Sequence, residues 1–337
     1  MILLLLVAVS LVATLLARLA PRWDGVLAWL VGAVLAACAG LYTQGFDHEE
    51  YVLTIETTRQ LADQPLALQL FSAKDPIFLF IIDLAGLMTD DVQLVFLIVA
   101  VLAVSTKVLA TAALPRKRTE FMALYAVFVA PGLEFAAIRA GLAIGLVMLG
   151  YLVVRRVRWQ ALWISLGLAS HISVLFVVAG RIWPRWWRTI VIGLVVLVPV
   201  AVPALLSFVE EDARYIQYLD NRGTPLAFIM PGATLLSLLL LSRSLRGRLP
   251  AHTAVLSKDS LTASYFVVAM SLILTLPVVT AATRVMELAW VFMLLQFLAR
   301  DRMMHRRVLA FQAASWCMMI GVLSLSNILR GLWAVLL

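Results

Sequence analysis

The chain consists of long apolar blocks separated by short polar loops, unlike the amphipathic pattern of a soluble helical protein. Blocks such as 92–113 and 138–154 reach or approach the roughly 20 apolar residues that one bilayer crossing needs. The pattern predicts an all-α polytopic integral membrane protein with roughly 10–12 transmembrane helices and short re-entrant segments. We expect one transmembrane domain over residues 1–337. Its first block, Met1 to Ala17, is expected to stay as a helix because it lacks a basic N-terminal region.

Composition supports a membrane protein and removes nucleic acid as a partner. Of the 337 residues, 63% are hydrophobic and 14% are charged, whereas soluble domains carry about 25% charged residues. The net charge of +8 comes from bases that cluster in short loops, which sets membrane topology rather than partner choice. Cys38 and Cys317 lie in apolar runs without metal or redox spacing, so we expect packing roles and no metal site.

The basic loops orient the chain, because Lys and Arg concentrate on the cytoplasmic side. Five loops are predicted to be cytoplasmic: PRKR from Pro115, RRVR from Arg155, RIWPRWWR from Arg181, residues 243–259, and RDRMMHRR from Arg300. Outer loops are expected at 44–76, where six acids face two bases, and at 209–225. Residues 119–154 then form a hairpin of two crossings with APGLEFAAIR as its outer turn.

Two apolar segments do not fit simple crossings. Residues 77–88 are too few to span and are followed by Thr89, Asp90 and Asp91, so a dip from outside before a full crossing at 92–113 is predicted. Residues 159–180 lie between basic loops but allow one crossing. Either one of those loops is outside, or the segment is a broken, re-entrant hairpin with SHIS at its tip and His171 facing a cavity.

Two arginines occupy matched positions at predicted outer turns. Pro131 precedes Arg139 by eight residues, and Pro277 precedes Arg284 by seven. A helix N-terminus and a planar guanidinium both favour phosphate oxygens, so two such ends facing each other would bind a pyrophosphate. The alternative is that each arginine reaches out to the lipid head groups.

Other polar residues each have a structural and a functional interpretation. His171 is either a neutral histidine bonded to a backbone carbonyl or a general base. Asp47, Glu50 and Tyr51 form either a solvated turn or an acidic, aromatic rim that binds sugar hydroxyls or supplies a carboxylate base. The stretch DARYIQYLD, with Arg214, Tyr215 and Tyr218, is either an interfacial aromatic belt or a stacking surface for sugars. Walker, dinucleotide and nucleophile-elbow motifs are not found in the sequence, so we predict no cofactor.

The central segment FAAIRAGLAIGLVMLGYLVVRRVRWQALWISLGLASHISVLF resembles the EpsG-like, Wzy-type polymerases of O-antigen or exopolysaccharide. In that family an Arg-x-Gly-x-Ala helix, a basic loop and an alanine-rich helix ending near His-x-Ser follow in this order. GFDHEEYVLTIE with KDPIFLFIIDLAGL, RYIQYL and ATRVMELAW are similar to further family segments, and the likeness covers residues 40–300. The chain departs from the family at Asp75, where relatives often have Glu, and at Ala140, where Gln often follows the arginine.

The resemblance implies a GT-C-like helical bundle in the bacterial inner membrane, with its active site facing the periplasm. It implies a glycosyltransferase that moves a growing glycan from undecaprenyl pyrophosphate to the next lipid-linked repeat unit, alongside a flippase and a chain-length regulator of the same pathway. The residues carried over are Asp47, Asp75, Arg139, His171 and Arg284. Two alternatives are a flippase for lipid-linked glycans, and a transferase that uses a polyprenyl-phosphate sugar with DHEE or TDD as its acidic pair.

Overall fold

The computed structural model describes residues 2–43, 48–60, 75–135, 137–154, 156–171, 174, 193 and 279–299, and every regular element in these residues is helical. The helices are α1 (Ile2–Leu19), α2 (Asp24–Gly40), α3 (His48–Gln60), α4 (Pro76–Gly86), α5 (Val92–Ala110), α6 (Arg118–Phe128), α7 (Ala130–Leu133), α8 (Ile138–Leu152), α9 (Val157–Ser170) and α10 (Val279–Ala299). Short 3-10 turns precede α2 at Pro21–Trp23 and follow α5 at Thr111–Ala113.

The chain divides into two compact units, residues 1–188 with 290–295, and residues 189–289 with 296–337. The contacts described below lie within the first unit. In that unit α5 is central, because it packs against both α2 and α8. Helix α9 covers α8, and α1 and α2 pack against α6. The single transmembrane domain expected from the sequence stays a prediction.

Two helical stretches in the described part of the chain are long and apolar enough to cross a bilayer, Pro21–Gly40 and Val92–Ala113. The second coincides with the full crossing expected at 92–113. Helix α4 has 11 residues, which gives a length of about 16 Å against the roughly 30 Å of a hydrocarbon core. It is therefore too short to span, as the sequence indicated. The larger number of crossings remains a prediction.

Glycines let the central helices approach closely. A Cβ atom added at Gly40 of α2 would lie 2.6 Å from the Cα of Leu97 in α5, and one at Gly167 of α9 would lie 2.6 Å from a methyl group of Val147 in α8. Small residues at helix crossings are typical of membrane bundles, in which close backbone packing replaces the hydrophobic effect as the driving force. The packing therefore fits the membrane character of the composition.

Helix α6 is capped by a residue distant in sequence. The backbone N–H groups of Arg118 and Thr119 donate to the carboxylate of Asp24 at 3.0 and 2.9 Å, and the Thr119 hydroxyl donates to the Asp24 carbonyl at 2.6 Å. Lys117, the local N-cap residue, makes no side-chain cap bond. Asp24 thus satisfies amides that the first turn of α6 would otherwise leave unpaired.

The predicted hairpin over 119–154 differs from its expected form. Helix α6 has 11 residues, about 16 Å, which is half of a crossing. The turn that follows it is buried at Leu133 and Glu134, which are 0% and 2% exposed, and is exposed at Pro131. The placement of APGLEFAAIR on the outer side stays a prediction, and α8 begins within this stretch.

Candidate functional site

Arg139 lies in the first turn of α8, as the sequence predicted, and there it meets a buried acid. Its Nη1 atom is 2.9 Å from Oδ2 of Asp75, and the two side chains are 17% and 7% exposed. The N-cap residue of α8, Ala137, makes no side-chain cap bond. The Asp75 carboxylate is thus the anion that this arginine, at a helix N-terminus, holds in the structure.

Asp75 is placed by the start of α4. Pro76 occupies the first turn of this helix, where its missing N–H costs nothing. An Asp directly before a helix ordinarily caps the helix with its carboxylate, but the Asp75 side chain makes no cap bond and pairs with Arg139 instead. Asp75, which the family resemblance suggested as a site residue, is therefore the counter-ion of the arginine, and the order of residues along the chain did not indicate this pairing.

Two aromatic rings also face the guanidinium. The Cζ atom of Arg139 lies 5.0 Å from the ring centroid of Tyr51 and 5.9 Å from that of Phe78. Tyr51 also packs against Phe78 and Phe96, with centroids 5.6 and 5.9 Å apart. Aromatic faces attract cations and restrict how a guanidinium can turn. We call Arg139, Asp75, Tyr51 and Phe78 the arginine cluster.

This setting corrects one expectation from the sequence. Tyr51 is 4% exposed and its ring lies against Arg139, and its part in a sugar-binding rim stays a prediction. The segment beginning at His48 is helix α3, not a solvated turn, and the His48 ring stacks on Phe96 at 4.8 Å. Arg139 is directed into the protein, toward Asp75 and Tyr51, which does not fit an arginine that reaches out to lipid head groups.

His171 lies at the same end of the α8–α9 pair as Arg139. The two helices are joined by a short connection at 153–156, so they run antiparallel. A Cβ added at Gly167 would lie 2.9 Å from the carbonyl oxygen of Ala143, which fixes their register. His171 follows Gly167 by four residues and Arg139 precedes Ala143 by four, so the two residues are level along the pair.

Helix α9 ends where the sequence suggested a break. His171 is its C-cap and adopts extended backbone angles, φ −167° and ψ 131°, while its N–H donates to the Gly167 carbonyl at 3.1 Å. The side chain is half-buried. The helix therefore stops within SHIS, and the re-entrant return that the sequence allows involves chain outside the described residues.

The remaining predicted site residues are not tested by geometry. Glu50 lies in α3 and Arg284 in α10, but their side chains are outside what the structure describes. Asp47, Arg214, Tyr215 and Tyr218 lie outside the described residues altogether. The meeting of Arg139 with Arg284 stays a prediction.

A second buried polar group was missed in the sequence. The Nζ atom of Lys107 is 2.7 Å from Oε1 of Glu134, and both side chains are 0% exposed. The Tyr125 hydroxyl donates to the same Glu134 oxygen at 2.6 Å. A signal was present, because Lys107 is the single charged residue of the apolar block 92–113, and ionisable residues at such positions are functional hypotheses by default.

No curated protein and no solved structure gives a significant match to the chain. A family model does match: the one described as EpsG family aligns with residues 26–329 of the 337. The match includes the arginine cluster, His171 and Arg284, and it confirms the resemblance drawn from the central segment. The chain therefore belongs to the EpsG family, membrane proteins of the polysaccharide-polymerase type.

Proposed function

We propose that this protein polymerises undecaprenyl-pyrophosphate-linked oligosaccharide repeat units on the periplasmic face of a bacterial inner membrane. The observation that carries the proposal is the arginine cluster: a guanidinium at the start of α8, largely buried and resting on Tyr51, that already holds an anion. The family assignment supports the polymerase class. The arginine supplies the group that a pyrophosphate leaving group requires.

The reaction is a glycosyl transfer in which one bond replaces another. The anomeric carbon of the growing glycan loses its bond to the pyrophosphate oxygen and gains one to a hydroxyl of the incoming lipid-linked unit. The hydroxyl proton passes to a base, for which His171, level with Arg139 along the helix pair, is our first choice and Asp47 our second. Undecaprenyl pyrophosphate departs with the bonding electrons, and its developing charge is stabilised by Arg139.

The geometry sets a condition on substrate binding. Asp75 already contacts Nη1 of Arg139 at 2.9 Å, so a pyrophosphate must share the guanidinium with this carboxylate or displace it. The five N–H donors of arginine allow two anions on different edges of one planar group. We expect sharing, with Arg284 as the second arginine on the pyrophosphate and Glu50, Arg214, Tyr215 and Tyr218 contacting sugars.

Of the two alternative acidic pairs, DHEE and TDD, the second loses support. The Asp91 carboxylate accepts from the Gln93 N–H at 2.8 Å and caps α5, while the Asp91 N–H donates to the Thr89 hydroxyl at 3.1 Å. This accounts for TDD as a helix start. A flippase would use the same arginines without chemistry, so an assay with purified components separates it from a polymerase.

The test is polymerisation by purified protein with purified lipid-linked repeat units. Arg139→Ala should lower the rate by about 100-fold or more, and Arg139→Lys should also impair transfer because it loses the planar fork. Arg156→Ala, an exposed arginine of the α8–α9 connection, is the matched control. A polymerisation rate near that of the wild type in Arg139→Ala, or no polymer from the wild type, would contradict the proposal.

A further inference from the structure

Lys107, a residue of α5, contacts the chain on both sides of Arg139. The ammonium group of Lys107 contacts Glu134 Oε1 at 2.7 Å and also donates to the carbonyl of Gly141 at 2.5 Å. Glu134 lies five residues before Arg139 and Gly141 lies two residues after it. One buried cation therefore bridges the turn that precedes α8 and the first turn of α8 itself.

All three N–H donors of the Lys107 ammonium group have a partner. Its third bond goes to the carbonyl of Ala103, one turn back in α5, at 2.9 Å. An ammonium has three N–H donors, and here they reach two carbonyls and one carboxylate in an environment where Lys107 is 0% exposed. Such a group has a single arrangement that satisfies every donor, so it fixes the relative position of the elements that it joins.

Tyr125 and Gly141 restrict the carboxylate in turn. The Tyr125 hydroxyl donates to Oε1 of Glu134 at 2.6 Å, and its ring centroid lies 5.4 Å from the Lys107 nitrogen. A Cβ atom at Gly141 would lie 2.9 Å from both oxygens of Glu134. Glycine at this position thus provides the space in which the carboxylate sits against α8. We call Lys107, Glu134 and Tyr125 the buried triad.

The buried triad and the arginine cluster lie on opposite sides of α8. Positions 139 and 141 are about 200° apart around an α-helix, and Arg139 contacts Asp75 of the α4 start while Gly141 contacts the triad behind it. The triad is therefore placed to act on the guanidinium through the backbone of the first turn. A displacement of about 1 Å at a catalytic group can cost on the order of 100-fold in rate.

We propose that Lys107, Glu134 and Tyr125 are positioning residues for Arg139, which they hold at the depth and angle that pyrophosphate departure requires. This inference rests on the proposed function for its catalytic part. The rival is a triad that only stabilises the fold.

The decisive variant removes both charges and the hydroxyl together, so that no buried charge is left unpaired. Lys107→Met/Glu134→Met/Tyr125→Phe exchanges a buried ion pair and one hydroxyl for apolar groups, a replacement that proteins often tolerate without loss of stability. We expect a normal yield of folded protein and a kcat lower by about 10- to 100-fold, with a smaller change in KM. In an Arg139→Ala background the triple change should lower kcat no further, because both act through one group.

A second readout does not depend on activity. Phenylglyoxal modifies guanidinium groups, so the rate at which Arg139 is modified, followed by peptide mass spectrometry, reports how firmly it is held. The triple variant should react several-fold faster than wild type. Asp24→Asn is the matched control, since it weakens another buried polar contact between helices and should lower the melting temperature without changing kcat or the phenylglyoxal rate.

The outcomes separate this inference from the proposed function. Wild-type kcat and wild-type phenylglyoxal rate in the triple variant would overturn the positioning role even if Arg139→Ala is inactive. A faster phenylglyoxal rate with an active Arg139→Ala protein would instead overturn the proposed function and keep the positioning role. If the triple variant does not fold, Gly141→Ala replaces it, with Gly86→Ala as a control whose Cβ meets open space, and an unchanged kcat in Gly141→Ala then overturns the inference.

Discussion

Neutralising Asp75 should tighten the binding of pyrophosphate and slow the reaction at the same time. In Asp75→Asn the amide keeps the size of the carboxylate and can still accept a hydrogen bond from Arg139, but the negative charge disappears. The carboxylate lies 2.9 Å from Nη1. A phosphate on another edge of the same guanidinium would be about 6 Å from that carboxylate, given the size of the planar group.

Loss of the Asp75 charge should raise the affinity for pyrophosphate and lower the rate of transfer. Two unit charges about 6 Å apart repel by about 3 kcal/mol at an effective dielectric constant of about 20, which corresponds to about 100-fold in affinity. This is the upper limit of the gain in binding. The hydrogen bond that the guanidinium keeps to the amide is weaker than its bond to the carboxylate, which is of the kind worth about 1.5–3 kcal/mol. Because that bond orients the fork, its weakening should lower kcat by about 10-fold or more.

The assay is the dissociation constant of undecaprenyl pyrophosphate together with kcat and KM for purified lipid-linked units. Asp83→Asn provides the control, because Asp83 is a half-buried acid of the same helix, eight residues further along. Weaker binding of undecaprenyl pyrophosphate in Asp75→Asn would refute the reasoning, since it would show that the carboxylate does not compete with the ligand. Total loss of kcat with unchanged binding would also refute it and would assign Asp75 the role of a base.

Two further predictions follow from other parts of the chain. Asp24→Ala should lower the free energy of unfolding by about 1–2 kcal/mol, as for other lost helix caps, which thermal or detergent denaturation of the purified protein can measure; unchanged stability would show that α6 does not depend on this cap. Cysteines introduced at Asp63 and Asn221 should react with an impermeant thiol reagent in intact spheroplasts, while one at Arg302 should not, and the reverse pattern would invert the predicted topology.

The hydrophobic pattern predicts helices well because burial in a bilayer requires long apolar runs that satisfy their own backbone. It located the apolar helix at 92–113, which is long enough to cross a bilayer, and the segment at 77–88 that is too short to do so and lies largely in α4. It did not indicate how short α6 is, because counting residues assumes that each helix continues across the bilayer. Helix α6 stops after 11 residues, where Ala130 and Pro131 begin a separate short helix.

The candidate site was predictable in part for a related reason. Arg139 stood out because it begins an apolar run and follows a proline at nearly the same distance as Arg284 does, but the sequence does not say which acid pairs with it. The pairing with Asp75 spans 64 residues, and Lys107 bonds to a carbonyl 34 residues away. Such contacts depend on which helices become neighbours. Lys107 was overlooked since a lysine near the basic end of a crossing is also what topology alone would place there.

The pairing of Arg139 with Asp75 also bears on how a lipid-linked anion can bind at all. Leaving a mostly buried guanidinium unpaired costs free energy. Removing one partner of a buried ion pair therefore destabilises the folded protein strongly. Asp75 already pairs with Arg139 in the protein without substrate, where the Arg139 and Asp75 side chains are 17% and 7% exposed. The guanidinium is therefore not left unpaired. On the proposed function, a pyrophosphate would arrive as a second anion at an arginine that is already desolvated and oriented over Tyr51. The net gain in binding would then be the attraction between the guanidinium and the pyrophosphate minus the repulsion between the two anions. The same repulsion would help undecaprenyl pyrophosphate to leave, because the guanidinium stays paired with the carboxylate throughout.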